Sequence, residues 1–341
     1  MEITELPLAP IEAGPLTLYP YGIALALSAL VSILAAVFFF RRDRIRNGAL
    51  SWFLVFAIPF AAVCARIGYC ICAMERISNM VLEEGFLSLI RPPWNGFLLY
   101  GALAGCIPAL AIAAKRTGER FSRLADAAAP AAALMIALGR ASEYITGQGF
   151  GWPVEEWFSG GGMSLFRLED CSFFCRMPFA VPDFYGGGNW AVFMLESITA
   201  FVIFWILALK RNRRPGDRTL RFLILYASTQ ILFESMRQDD VLRWGFVRVN
   251  QVIGALILTG ILICLVSRLD PSVKRKTGMT GGILLTAGFL TVAAMEFALE
   301  GKISVIESMP LDVCYMIMAA GCMTVLLTLC FILKRTAADR G

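Results

Sequence analysis

The sequence contains no histidine. The commonest metal ligand and the usual neutral-pH general base are therefore missing, so acid–base chemistry falls to Glu, Asp, Tyr, Lys or Cys. Charge is scarce as well. Only 17% of the 341 residues are Asp, Glu, Lys or Arg, where a water-soluble domain carries nearer ~25%. Hydrophobic residues make up 58% and the mean hydropathy is +0.68, which excludes a soluble globular chain and implies a multi-spanning membrane protein. The ten cysteines are scattered, mostly in apolar runs, where a thiol is usually an inert small hydrophobe. Only Cys171 and Cys175 share a polar loop, and without flanking His or further Cys they are a poor zinc signal. A disulfide between them is left open. Residues 1–18 are acidic and Pro-rich with no basic residue, so no N-terminal signal peptide is expected.

Apolar segments long enough to cross about 30 Å of hydrocarbon fall near 21–40, 50–73, 97–114, 124–145, 190–209, 220–237, 250–267, 282–299 and 311–333. Basic runs follow spans 1, 3, 5, 7 and 9, beginning at Arg41, Lys115, Lys210, Lys274 and Lys334. The positive-inside rule then predicts nine helices with the N-terminus outside and the C-terminus in the cytoplasm. These runs read as topology signals beside anionic headgroups, not as nucleic-acid sites. The expected organisation is an all-α polytopic membrane bundle in two parts. Residues 1–267 form a seven-helix domain with a long outer loop or arm at 146–189. Residues 268–341 add a basic linker, about 268–282, and two extra helices with few charges, an appended hairpin.

Three arginines interrupt the apolar runs: Arg66, Arg140 and Arg237. Each costs at least ~2.5–3.5 kcal/mol on insertion scales, so each asks for a partner. On the expected topology they share the outer half of the bilayer with Tyr21, Tyr100, Glu143, Glu196, Glu234, Asn250 and Gln251, while the inner halves read as almost clean. Arg140–Glu143 and Glu234–Arg237 have i,i+3 spacing, which shares a helix face. Taken singly, each residue is explained by an ion pair or by snorkelling at the headgroup boundary. Together they point to a polar cavity, and planar guanidinium suits the oxygens of a phospholipid phosphate.

The motifs resemble those of the prolipoprotein diacylglyceryl transferase family over roughly residues 15–267. They are Tyr21-Gly22, Ala65-Arg66-Ile67-Gly68-Tyr69, Tyr100-Gly101-Ala102-Leu103-Ala104-Gly105, Asp126 with Pro130, and Gly139-Arg140 followed by Thr146-Gly147-Gln148-Gly149-Phe150-Gly151. Glu196, then Glu234-Ser235-Met236-Arg237-Gln238 with Asp239 or Asp240, and Gln251 complete them. Tyr100 stands where the family has a histidine, Glu143 where it has Asn, and Gln148 where it has Glu. The two extra spans exceed the usual seven.

The resemblance implies transfer of diacylglycerol from phosphatidylglycerol to the lipobox cysteine of prolipoproteins, in the bacterial plasma membrane, with the site facing the outer leaflet. The implied partners are phosphatidylglycerol, prolipoprotein signal peptides and membrane lipid, and no cofactor or metal is called for. Tyr100, Arg140, Glu143 and Arg237 are the candidate catalytic residues. Tyr21, Arg66, Gln148, Gly151, Glu196, Glu234 and Gln251 are the candidate substrate-binding residues. Two other readings stay open: a phospholipid-binding accessory protein of the same fold without the chemistry, and a lipid or solute transporter. Clean inner halves speak against a transport route, which needs polar lining at both depths.

Overall fold

In hydrocarbon a backbone has only itself to bond with, so long apolar runs fold as helices. The computed structural model describes residues 8–13, 16–89, 96–158, 171–182, 187–210, 214–239, 242–245, 247–302 and 309–338. Among the described residues, nine long helices carry the fold: α1 (Pro20–Arg42), α2 (Ala49–Cys72), α4 (Leu99–Thr117), α5 (Phe121–Ser142), α8 (Val192–Leu209), α9 (Asp217–Met236), α10 (Val249–Ser267), α11 (Pro271–Leu299) and α12 (Leu311–Ala338). Between them lie shorter helices α3 (Met74–Glu84), α6 (Val154–Phe158) and α7 (Cys171–Phe174). Three small antiparallel hairpins pair β1 (Ile11–Ala13) with β2 (Leu16–Leu18), β3 (Ala180–Pro182) with β4 (Gly188–Trp190), and β5 (Arg243–Trp244) with β6 (Val247–Arg248). The chain is an all-α polytopic membrane bundle.

Most helix bounds fall within a few residues of expectation, and each departure has a local cause. The linker expected at 268–282 is helical from Pro271 onward. Pro at the first helical position lacks only an N–H that would have no partner there, so the basic run continues into the helix. The helix α3 was not foreseen, because its mixture of charged and apolar residues is too polar to register as a span. Eight of the long helices are long and apolar enough to cross a membrane; α9 falls short. It carries Asp217, Arg218, Arg221, Gln230 and Glu234, and of these Asp217, Arg218, Gln230 and Glu234 are buried against neighbouring helices.

Packing follows small residues and shared apolar surface. The helices α2 and α4 cross closely, because a Cβ at Gly101 would lie 2.5 Å from the Cys64 carbonyl oxygen, and one at Gly105 would strike that of Phe60. This is the small-xxx-small logic of membrane helices. The helices α11 and α12 are not a loose appendage. Leu285, Val292, Met318 and Leu329 share one buried cluster with Ile224 and Ile231 of α9 and with Leu258 and Leu265 of α10. The Gly160–Gly162 run, Asp240 and the Cys171 side chain lie outside the described residues, and the disulfide question with them.

The expectation of one clean end is overturned. Near the start of α5, opposite Arg140, the Asp126 carboxylate accepts from the Gly216 N–H (2.7 Å), the Thr219 N–H (2.9 Å) and the Thr219 hydroxyl (2.9 Å). Arg218 donates to Asp43 Oδ2 (2.6 Å) and to the Asp126 carbonyl (3.0 Å). Asp43, Gly216, Arg218 and Thr219 lie outside the expected spans, and Asp126 lies only just inside one.

Candidate active site

Arg140 is the hub of the opposite end. It lies in the last turn of α5, where its Nη1 donates to Glu143 Oε1 at 2.6 Å and its Nε pairs with Glu196 Oε2 at 2.6 Å. Glu143 opens the 3-10 turn Glu143–Thr146 that continues α5, and Glu196 comes from the second turn of α8. The Tyr226 hydroxyl of α9 interacts electrostatically with the same guanidinium. Tyr21 of α1, Tyr100 of α4, Glu234 and Arg237 all interact electrostatically with Arg140. Five helices therefore converge on one cation.

Arg237 follows the last residue of α9 in extended conformation (φ −71°, ψ 135°). It forks onto Asp239 through Nε to Oδ1 (2.9 Å) and Nη2 to Oδ2 (2.5 Å), the bidentate arrangement that fixes a guanidinium in plane. Burial alone would push the Asp239 carboxyl up. The hydrogen bonds and charge of Arg237, helped by the Gly149 N–H at 3.1 Å, outweigh it and hold Asp239 below the usual carboxylate value. The expected Glu234–Arg237 pair does not form. The helix ends at Met236, so the i,i+3 face is lost, and Glu234 Oε1 instead accepts from Asn250 Nδ2 at 3.0 Å.

The Gly-rich segment after Arg140 is laced between the start of α8 and the end of α9. Gly147 and Gly149 take positive φ (66° and 76°), a region disfavoured for other residues. A Cβ at Gly149 would lie 2.8 Å from both Glu143 Oε2 and Phe193 Cβ, and one at Gly151 would lie 2.8 Å from the Met236 carbonyl oxygen. Gly151 forms a β-bridge with Arg237, and the Gln238 N–H donates to the Phe150 carbonyl at 2.9 Å. These bonds set Arg237 at a fixed distance from Glu143. Gln148 is exposed, with its N–H 3.4 Å from the Glu143 carbonyl.

Exposure separates roles within the cluster. The side chains of Arg140 and Arg237 are each 13% exposed and Glu143 is 14% exposed, whereas Glu196 is at 0%. Glu234 is 1% exposed as a residue. The first three can meet a ligand; the two buried glutamates can only orient. Among the described residues, Tyr100 Oη, Glu143 Oε2, Glu196 Oε1, Glu234 Oε2 and Asn250 Oδ1 are buried without a hydrogen-bond partner. Buried polar atoms are nearly always satisfied, so this concentration at one place marks a site with unused bonding capacity.

Two candidates lie apart from this hub in role. Arg66 donates to the Leu89 carbonyl (3.4 Å) and the Gly96 carbonyl (3.2 Å), with its guanidinium over the Tyr69 ring at 5.6 Å. Those contacts tie down the connection between α3 and α4. Gln251 donates to the Ile231 carbonyl (3.0 Å) and to Glu296 Oε1 of α11 (2.5 Å). Three participants were missed in the sequence. Tyr226 looked like helix core, and Arg248 sits just outside a span. Glu296, a lone carboxylate in an apolar run, carried the same signal as Arg140 and could have been found by it.

A helix bundle with two partly accessible guanidinium groups and two partly accessible carboxylates, Glu143 and Asp239, at one end defines an integral membrane protein with an ionic site between its helices. The sequence model of the prolipoprotein diacylglyceryl transferase family matches residues 9–267, and the chain belongs to that family. The phosphatidylglycerol–prolipoprotein diacylglyceryl transferase of Geobacillus kaustophilus is 30% identical over 280 residues, covering 79% of this chain and 96% of the relative. Those of Halalkalibacterium halodurans (28% over 262 residues; 74% and 83%) and Bacillus licheniformis (29% over 269 residues; 76% and 92%) are similar in kind.

Proposed function

We propose that this chain transfers the diacylglyceryl group of phosphatidylglycerol to the lipobox cysteine thiol of a prolipoprotein, at a site facing the outer leaflet of the bacterial plasma membrane. Residues 1–267 are the catalytic unit, the N-terminus is outside, and the arm at 146–189 receives the signal peptide. The observation that carries this reading is the placement of Arg140, Arg237, Glu143 and Asp239 as partly accessible groups beside the buried Glu196 and Glu234.

In the reaction the thiol sulfur attacks the glyceryl carbon that bears the phosphate. The S–C bond forms as the C–O bond breaks, and glycerol phosphate leaves with the electron pair. Arg140 and Arg237 hold the phosphate and stabilise the charge that grows on the leaving oxygen. Glu143, whose side chain is 14% exposed, takes the thiol proton and returns it to the departing phosphate. An unperturbed Tyr titrates near 10 and a Cys near 8.5, so the carboxylate is a better proton acceptor here than Tyr100. Tyr100 instead packs beside Tyr226, ring centroids 6.1 Å apart, behind the hub.

The test uses purified chain in nanodiscs with phosphatidylglycerol and a lipobox peptide, read by mass spectrometry. A thioether-linked diacylglyceryl peptide is expected, and its formation should stop with Arg140→Ala. Phospholipid retained by folded protein without any alkylated peptide would overturn the transfer reading in favour of a lipid-binding protein.

A further inference from the structure

The family match ends at residue 267, yet the two helices beyond it reach the site. Arg248, buried at 4% exposure, donates through Nη1 to the Glu234 carbonyl (2.5 Å) and the Arg237 carbonyl (2.8 Å) at the end of α9. Its Nε faces Glu296 Oε1 of α11 at 3.4 Å. The same carboxylate accepts from Gln251 (2.5 Å) and from the Ser235 hydroxyl (3.0 Å). From α12, the Tyr315 hydroxyl donates to the Ser235 carbonyl (3.0 Å) and accepts from Trp152 Nε1 (3.1 Å). The Tyr315 ring also stacks on Trp157 of α6 at 4.6 Å. Ser235, fully buried, is thus held from both added helices, and it lies between Glu234 and Arg237 in the chain.

We propose that α11 and α12 are a buttress for the transfer site, with Glu296 as a positioning residue that sets Arg237 through Arg248, Gln251 and Ser235. A helix C-terminus leaves its last carbonyls without intrahelical partners. Arg248 satisfies two such groups, and Glu296 supplies the charge that keeps Arg248 in place. A buried guanidinium stripped of its carboxylate seeks another partner, and the nearest alternatives are the site's own glutamates. Tyr315 adds a second hold, fixing the arm and the end of α9 to one hydroxyl. The role in transfer rests on the function proposed above; the positional role does not.

Glu296→Gln in the full chain in nanodiscs tests this by two independent readouts. Hydrogen exchange at residues 232–239 should quicken by about fivefold or more, with residues 121–132 at the far end of α5 unchanged. Turnover should fall about tenfold while the KM for phosphatidylglycerol moves less than about twofold, the mark of lost alignment and not of lost binding. Adding Arg248→Met should cause no further loss, because both residues act along one line. Tyr315→Phe keeps the ring stack and should quicken the same exchange by about threefold. Unchanged exchange at 232–239 in both single variants would overturn the proposal, as would losses that multiply in the double variant. If the wild type transfers nothing, the exchange experiment still decides the positional claim, so the two failures are distinguishable.

Discussion

The helices α5 and α9 each carry charged groups at both ends, and the two ends are built differently. At the Asp126 end the carboxylate oxygens are fully engaged by backbone and hydroxyl donors, and the buried atoms without partners are guanidinium nitrogens of Arg214, Arg218 and Arg221. At the Arg140 end the atoms without partners include carboxylate oxygens, a phenol and an amide oxygen. The same residue types make a clamp in one place and a reactive site in the other. What separates them is the kind of spare bonding capacity: donors at the Asp126 end, and acceptors with a phenol at the Arg140 end.

The contrast can be broken by experiment, beginning with its largest expected effect. Arg140→Ala leaves Glu143 and Glu196 without their cation, and transfer should fall about 10³-fold, about 4 kcal/mol. A melting temperature that dropped while activity per folded molecule held would make this end a clamp as well. Glu143→Gln keeps the shape and removes the proton acceptor, so turnover should fall about 10²-fold; near-normal turnover would move the base elsewhere. Asp126→Asn keeps one acceptor oxygen and turns its amide NH2 toward either the Gly216 N–H or the Thr219 donors. It should cost roughly 1–3 kcal/mol of stability, seen as a lower melting temperature in nanodiscs, with turnover per folded molecule within about twofold.

The smallest effect is a pH dependence. Asp239 is held below its ordinary value, so its contribution to stability is present above the unfolded carboxylate pKa of about 3.9 and disappears as pH falls through the lower folded value. The stability difference between wild type and Asp239→Asn should therefore be flat from about pH 8 to 5 and shrink only below about 4. A difference that shrinks already near neutral pH would contradict the Arg237–Asp239 ion pair.

Much of this was legible in the chain. Apolar run length located the long helices, and the resemblance named Arg140 and Arg237 as catalytic candidates and Arg66 as a substrate-binding one. In the structure Arg66 donates to the Leu89 and Gly96 carbonyls at a loop. What the sequence hid is pairing across long separations. Nothing local links Glu296 to Arg248, forty-eight positions earlier, or Tyr315 to Ser235. The Glu234–Arg237 spacing misled for the opposite reason: i,i+3 has meaning only while the helix continues, and α9 stops between the two.

The helix that supplies Glu234 to this site and ends just before Arg237 is also, among the described residues, the one long helix not apolar enough to count as a membrane span. Its ionic residues each weigh against partition from the translocon into lipid. During synthesis α9 therefore depends on company. Its buried face is covered by α5 and α8, made before it, and by α10 and α12, made after it. Assembly of the site is then a late event in biogenesis, completed only when α12 has left the ribosome.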